Sequence, residues 1–409
     1  MKSRSLVSKP NLKYSKLVSK EDHILSSQLV KRLASLELNS LLYSNVLPYE
    51  SFNDCTIRSP GTPVYDINGE LLFYRIAILK GRNIIACADI AANKIFGSPL
   101  IAISSGLQWK EKEIVDKAIS IARKQRKEVG PDEIRFVAYS FPKIAIQFLK
   151  DGQEILMLEL GTWVQVPKAS KNESDVNFQR WSLIERIPSN TKKSKLKNFN
   201  KHVSNWEKTV PSNKKFNPNY ISLNKFKKII PRSFAIIIDD SSELHYGLSA
   251  SDHLTCYELR GQRTNVWCVA ASVQMILDFY RYNYDQTRIA QELGLGTLSN
   301  PNGLPYARDQ DVVTVIERLT GNALDSNMTT TPNWTEFRDE IRANRPLISF
   351  IPGHSRTVAG YTRQRVGWYV FRGLLVYDPW PPTTGVITRW ENFNTHTYRR
   401  TFTAHVTLV

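Results

Sequence analysis

Three observations predict an α+β protein with two folded parts. Between residues 60 and 167, apolar runs at strand spacing flank a single amphipathic helix. In a chain of 409 residues no lysine follows Lys228, although arginine continues to the end. Beyond residue 233, helical patterns come first and alternating strand patterns last. The chain divides on this basis into a basic tail with an amphipathic helix (1–58), a small α+β meander domain (59–167), a basic polar linker (168–232) and a C-terminal domain (233–409).

Each element has its own signal. In SSQLVKRLASLELNSLL, Leu29, Val30, Leu33, Leu36 and Leu38 recur at helical spacing, which predicts one docking helix behind a flexible tail. ELLFYRIAILKG and NIIACADIAA, split at Gly81-Arg82, read as a hairpin, and SPLIAISS as a third strand. KEKEIVDKAISIARKQRKEVG places Ile114, Val115, Ala118, Ile119 and Ile121 on one helical face and closes at Gly130. EIRFVAYSF, KIAIQFLKD and EILMLELGTWVQVP give three more strands, with Asp151-Gly152 as a two-residue turn. Cys87, inside an apolar run, reads as a small core residue.

Hydrophobic residues make up 42% of the chain and charged residues 23%, enough for ordinary cores. No run approaches the roughly 18–20 apolar residues that span a bilayer, so no integral membrane segment is expected. The N-terminus is basic but lacks an apolar core, which is not the pattern of a secretory signal. Four cysteines do not make a disulfide scaffold, and a cytoplasmic setting is the expectation.

The net charge of +17 is unevenly held. Residues 251–409 carry 16 Arg, no Lys and 14 acids, or +2, which leaves +15 for residues 1–250. Between Thr191 and Arg232, 12 basic residues face a single acid, Glu207. Such a run is either a solvated linker or a surface for an anionic partner.

The chemistry lies in the C-terminal part. In NVWCVAASVQMILDFYRY, Cys268, Ala271, Ser272, Met275, Ile276 and Phe279 fall on one face of a helix that begins near Cys268. A thiol at a helix N-terminus meets unpaired N–H groups and the positive dipole end, which favour the thiolate. Gln262, six residues earlier, can supply a side-chain donor to a tetrahedral oxyanion beside the backbone N–H of the nucleophile. His354, after an apolar strand, can act as base, and Asp378, at the end of another strand, can orient it.

GQRTNVWCVAASVQMILDFY resembles the nucleophile region of papain-like cysteine peptidases, in particular the bacterial staphopain-like and bacteriocin-leader-peptidase-like groups. GHSRTVAGY resembles their His strand and VYDPW their orienting-residue strand, with Asp where papain has Asn. The resemblance implies Gln262 as oxyanion donor, Cys268 as nucleophile, His354 as general base and acid, and Asp378 as orienter. It also implies a two-lobed domain: helices from YDQTRIAQELG, ARDQDVVTVIERLTG and TEFRDEIRANR in one lobe, antiparallel strands from Leu347 to Val409 in the other. It covers about 160 residues. Two departures mark a compact variant. His354 follows Cys268 more closely than the roughly 130–150 residues of papain and cathepsin enzymes, and their Gly-Ser-Cys-Trp signature is absent.

The expected function is thus a cysteine endopeptidase acting on protein or peptide substrates, kept as a zymogen by the N-terminal region and self-processed in the linker. If the missing lysines reflect resistance to an enzyme that cuts at lysine, the cuts fall at Lys192, Lys193, Lys195, Lys197, Lys214, Lys215, Lys227 and Lys228; escape from lysine modification and drift in composition are the alternative accounts. An amidase, transglutaminase-like or deamidase activity would use the same residues, and a non-catalytic basic binding protein is the reading outside enzymes. No cofactor or metal is expected: His253 and Cys256 have no second ligand pair at zinc spacing, and no phosphate loop of the Walker type occurs. His396 and His405 read as structural.

Overall fold

The computed structural model describes residues 23–58, 61–105, 109–125, 132–168, 180–212, 216–231, 233–234, 236–244 and 257–407. Helix α1 (Ser27–Tyr43) starts where the Ser26 hydroxyl accepts the Leu29 backbone N–H, and a short α2 (Tyr49–Phe52) follows. The expected face of α1 is buried at Val30, Leu33, Leu36 and Leu38.

The N-terminal strands are β1 (Cys55–Ile57), β2 (Thr62–Asp66), β3 (Leu71–Lys80), β4 (Asn83–Ala91) and β5 (Leu100–Ser105). Then come α3 (Glu111–Gln125), β6 (Glu133–Ser140), β7 (Lys143–Lys150) and β8 (Gln153–Glu159). From β3 to β8 the order is three strands, a helix and three strands, as the patterns predict. Asp151 and Gly152 both adopt positive φ, 50° and 73°, which the tight β7–β8 turn requires. Strand β2 is an addition to the expected set, since Pro63 within TPVYD weakens its strand signal. It pairs antiparallel with β3 and parallel with β6, joining the two groups of strands.

Residues 180–231 differ from the expected solvated linker. They form α4 (Leu183–Arg186), α5 (Ser189–Thr209), β9 (Tyr220–Ile221) and α6 (Leu223–Lys227). On α5, Lys195, Phe199, His202 and Trp206 are buried at intervals of four, three and four, which is one helical face. Glu37 of α1 meets His202 Nε2 and accepts from Trp206 Nε1, each at 2.6 Å. Lys195 Nζ donates to the carbonyls of Thr395 at 2.8 Å and Asn394 at 3.3 Å, and burial pulls its pKa down to about 8. Lys193, Lys197, Lys201 and Lys208 lie exposed on the outer side of α5, and these lysines overshadowed the aromatic face in the sequence.

The remaining elements are β10 (Ile236–Glu243), α7 (Cys268–Phe279), α8 (Gln286–Glu292), α9 (Asp311–Leu319), β11 (Leu324–Thr329), α10 (Trp334–Arg342), β12 (Leu347–Ile351), β13 (His354–Val366), β14 (Tyr369–Asp378), β15 (Val386–Asn392) and β16 (Arg400–Val406). One mixed sheet runs β11–β16–β12–β13–β14–β15–β5–β4–β3–β2–β6–β7–β8, with β10 on β13 and β1 on β3 and β9. The expected boundary at residue 233 is crossed by backbone pairing, Trp390 opposite Ile103 and Glu391 opposite Ala102. Apolar packing crosses it too: one core extends from Leu25 to Trp390, while a second packs α7, α8 and α9 on β11, β12 and β16. Among the described residues no helix is long and apolar enough to cross a membrane.

Candidate active site

Helix α7 begins at Cys268, the position its apolar spacing predicts, and it has no side-chain cap. Its first N–H groups are therefore left to an anion at that end. The helix is wedged in place by Trp267, fully buried with its indole N–H on the Leu295 carbonyl at 3.0 Å. Ser355 of β13 donates to the Ser272 hydroxyl at 2.8 Å, tying α7 to the strand that carries His354.

His354 opens β13 and Asp378 ends its neighbour β14, so antiparallel pairing of these strands brings the two side chains together. His354 Nε2 lies 2.7 Å from Asp378 Oδ1, which also accepts the Trp380 backbone N–H at 2.8 Å. With Nε2 committed to Asp378, the interaction with Cys268 falls to Nδ1, which is buried and has no geometric hydrogen-bond partner. The turn before His354 needs Gly353: its φ is +69°, and a Cβ there would sit 2.6 Å from Trp181 Nε1.

The electrostatics of the pair run in opposite directions. Burial alone would push the Cys268 thiol up, but its interaction with His354, and then the charge of Lys143, outweigh it and hold the thiol below its ordinary value. Burial alone would lower His354, yet the charge and hydrogen bond of Asp378, followed by the interaction with Cys268, raise it. Both shifts favour a thiolate–imidazolium pair.

Gln262 is completely buried in the loop leading to α7. Its backbone N–H donates to Pro379 O at 2.9 Å and its carbonyl accepts Thr383 N–H at 2.8 Å, which holds the loop against the segment after Asp378. This approach requires Gly261, since a Cβ would lie 2.4 Å from the Thr383 carbonyl carbon. Gln262 Nε2 donates one proton to the Thr264 carbonyl at 2.7 Å, leaving its second amide proton for another acceptor, while Oε1 is unpaired.

The other candidates have different surroundings. Cys87 is buried in β4 with its thiol pushed up to about 11 by desolvation. His396 is buried with Nε2 3.2 Å from Glu391, and burial draws its pKa down to about 4. His405 pairs with Glu340 at 3.1 Å. His253, Cys256, Lys214 and Lys215 lie outside the described residues.

Sequence reasoning missed the N-terminal contribution to this site. Ser140 and Trp181 approach Gly353, Phe141 lies 5.3 Å from the His396 ring, and Glu159 accepts the Trp380 indole N–H at 3.0 Å. The charge of Lys143, at the start of β7, is among the lesser causes that lower the Cys268 thiol. In the sequence these residues sit in ordinary strand and turn patterns, which do not reveal a partner far along the chain.

Comparison with known proteins adds a family. Residues 255–404 match the model of the Peptidase_C39 like family, a little over a third of the chain. No curated protein matches the chain. Among solved structures, a double glycine motif protease from an AMS/PCAT transporter, in complex with the leader peptide, is 12% identical over 37% of this chain and 94% of that one, with a TM-score of 0.25. The C-terminal segment of this chain is thus similar to the Peptidase_C39-like family and resembles the papain-like cysteine peptidases.

Proposed function

We propose that the chain is a cysteine endopeptidase whose C-terminal helices and strands form the two lobes of a papain-like cleft. The observation that carries this reading is the 2.7 Å pair of His354 Nε2 and Asp378 Oδ1, together with a Cys268 thiol that His354 holds below its ordinary value. Cys268 Sγ attacks the scissile carbonyl carbon, and the carbonyl oxygen takes the negative charge. The second amide proton of Gln262 and the backbone N–H of Cys268 receive that oxyanion. His354 delivers a proton to the departing amine, leaving an acyl-thioester, then takes a proton from the water that hydrolyses it. Asp378 holds the tautomer throughout.

The zymogen proposal draws on the same surroundings. His354 and Cys268 are buried, and residues from β6, β8 and the segment before α4 pack on the loops that carry His354 and follow Asp378. Sheet continuity through β5 and β15 argues that a nick would loosen this region rather than remove it. Processing at Lys192, Lys193, Lys195 and Lys197 is disfavoured because they lie on α5, and Lys195 is buried. An amidase or acyltransferase would use the same residues, with acceptor choice as the difference.

The test is peptide hydrolysis by full-length protein, read by mass spectrometry against Cys268→Ala. Loss of cleavage with an unchanged fold supports the proposal, and equal cleavage by both proteins overturns it.

A further inference from the structure

Glu159, the last residue of β8, carries a carboxylate and is only 4% exposed. Three neutral donors reach it: the Tyr139 hydroxyl and the Trp380 indole N–H on Oε1, the latter at 3.0 Å, and the Thr162 hydroxyl on Oε2 at 2.6 Å. Burying a carboxylate is costly unless donors saturate it, and the same bonds fix those donors in place. Tyr139 and Thr162 belong to β6 and the loop after β8, whereas Trp380 lies two residues beyond Asp378. β8 is remote from β14 in the sheet order, so this contact joins ends that strand pairing does not bring together. The backbone makes the same approach. Gly161 has a φ of +96°, and a Cβ there would lie 2.6 Å from Pro381 Cβ. The segment held in this way serves both halves of the candidate site. Trp380 N–H donates at 2.8 Å to Asp378 Oδ1, the oxygen that meets His354 Nε2 at 2.7 Å. Pro379 O accepts the Gln262 N–H at 2.9 Å, and Thr383 N–H donates to Gln262 O at 2.8 Å.

We infer that Glu159, although far outside the peptidase-like segment, is a positioning residue for catalysis that fixes Asp378, and through it the His354 imidazole, by holding the Trp380 indole. Glu159 acts through Trp380 rather than on the reacting atoms. With the indole anchored, the Trp380 backbone N–H keeps its direction and Asp378 Oδ1 stays in line with His354 Nε2. Without the anchor the indole is free to turn, the segment from 379 to 383 loosens, and the imidazole loses its fixed orientation. The His–Asp pair is thus braced by a strand that residues 255–404 do not contain. Burial lowers His354, while Asp378 of β14 and then Cys268 of α7 raise it, so a loosened Asp378 supports the imidazolium less. The inference rests on the Cys268–His354 reading above.

The experiment uses the full-length chain with isotope-labelled histidine. It follows the His354 titration by NMR, assigned by the resonance lost in His354→Ala, beside kcat and KM for peptide hydrolysis. Glu159→Leu is compared with Glu159→Gln, whose amide oxygen can still accept from Trp380. Trp380→Phe removes the same bond from the other side, should Glu159→Leu fail to fold. Glu159→Leu should lower the His354 midpoint by about 0.5 pH unit and kcat by about tenfold, with KM within about twofold of wild type. Glu159→Gln should keep the wild-type values. In an Asp378→Ala background no carboxylate remains to be positioned, so Glu159→Leu should cost nothing further. A wild-type midpoint and kcat in Glu159→Leu would overturn the inference. So would an equal loss in the Asp378→Ala background, which would mark Glu159 as a general brace of the fold, or a Glu159→Gln that matches Glu159→Leu, which would make its charge the cause. No cleavage by the wild-type protein, with a His354 midpoint that still falls in Glu159→Leu, would instead refute the endopeptidase reading and leave the hold of Glu159 on Asp378 standing.

Discussion

Replacing Asp378 by Asn separates charge from geometry in the candidate site. The amide oxygen can still accept from His354 Nε2 and from the Trp380 N–H, which meet Asp378 Oδ1 at 2.7 and 2.8 Å. Only the negative charge disappears. Two unit charges about 4 Å apart interact by about 4 kcal/mol at an effective dielectric near 20, an upper bound for this pair. Allowing half for relaxation and for the retained hydrogen bond leaves about 2 kcal/mol, or roughly 30-fold in the population of the thiolate–imidazolium pair. Asp378 raises His354, so the imidazolium persists upward in pH. Stability from this pair is present below the unfolded-state pKa of His354 and is lost as pH rises through the folded one. Asp378→Asn should therefore draw in the alkaline limb of the rate profile, leave the substrate KM nearly unchanged and lower kcat. Asp378→Ala, which also frees the imidazole to rotate, should lose more, roughly 100-fold or beyond. The assay is peptide hydrolysis between pH 5 and 10, with the rate of Cys268 alkylation as an independent readout. An alkaline limb that stays in place in both variants would refute the role of Asp378.

Other expectations concern the supports of the site. Gly353→Ala forces a side chain into a positive-φ turn and against Trp181, so it should destabilise the fold by about 1–2 kcal/mol and slow hydrolysis; calorimetry with kinetics checks this. Glu37→Ala strands the Trp206 and Tyr369 donors and His202, and should lower stability by about 3–5 kcal/mol in urea unfolding. An unchanged midpoint would mean that α5 docks without this cluster. His354→Ala should match Cys268→Ala in peptide hydrolysis, since members of one catalytic unit are not additive.

Local patterns in the sequence carried the strands β3 to β8, the helix α3 between them and the start of α7 at Cys268. They carried less where one signal masks another. The lysines of α5 hid a face formed by Phe199, His202 and Trp206, and Pro63 hid β2. Gln262, Cys268, His354 and Asp378 stood out as residue types in a suggestive order. What joins His354 to Asp378 is the pairing of β13 with β14, a tertiary fact. Ser140 and Trp181 had no local signature as neighbours of Gly353, because they come from a part of the chain that meets it only in the folded protein.

The seam between β5 and β15 has a consequence for synthesis. The polypeptide emerges N-terminus first, and roughly 280 residues separate the end of β5 from the start of β15. At about 5–20 residues per second, the unpaired edge of β5 waits on the order of 15–60 s for its partner. During that interval a row of backbone donors and acceptors is open to any neighbouring chain. Ribosomes spaced along one message would hold several such edges close together, which favours edge-to-edge pairing between nascent chains until β15 is made.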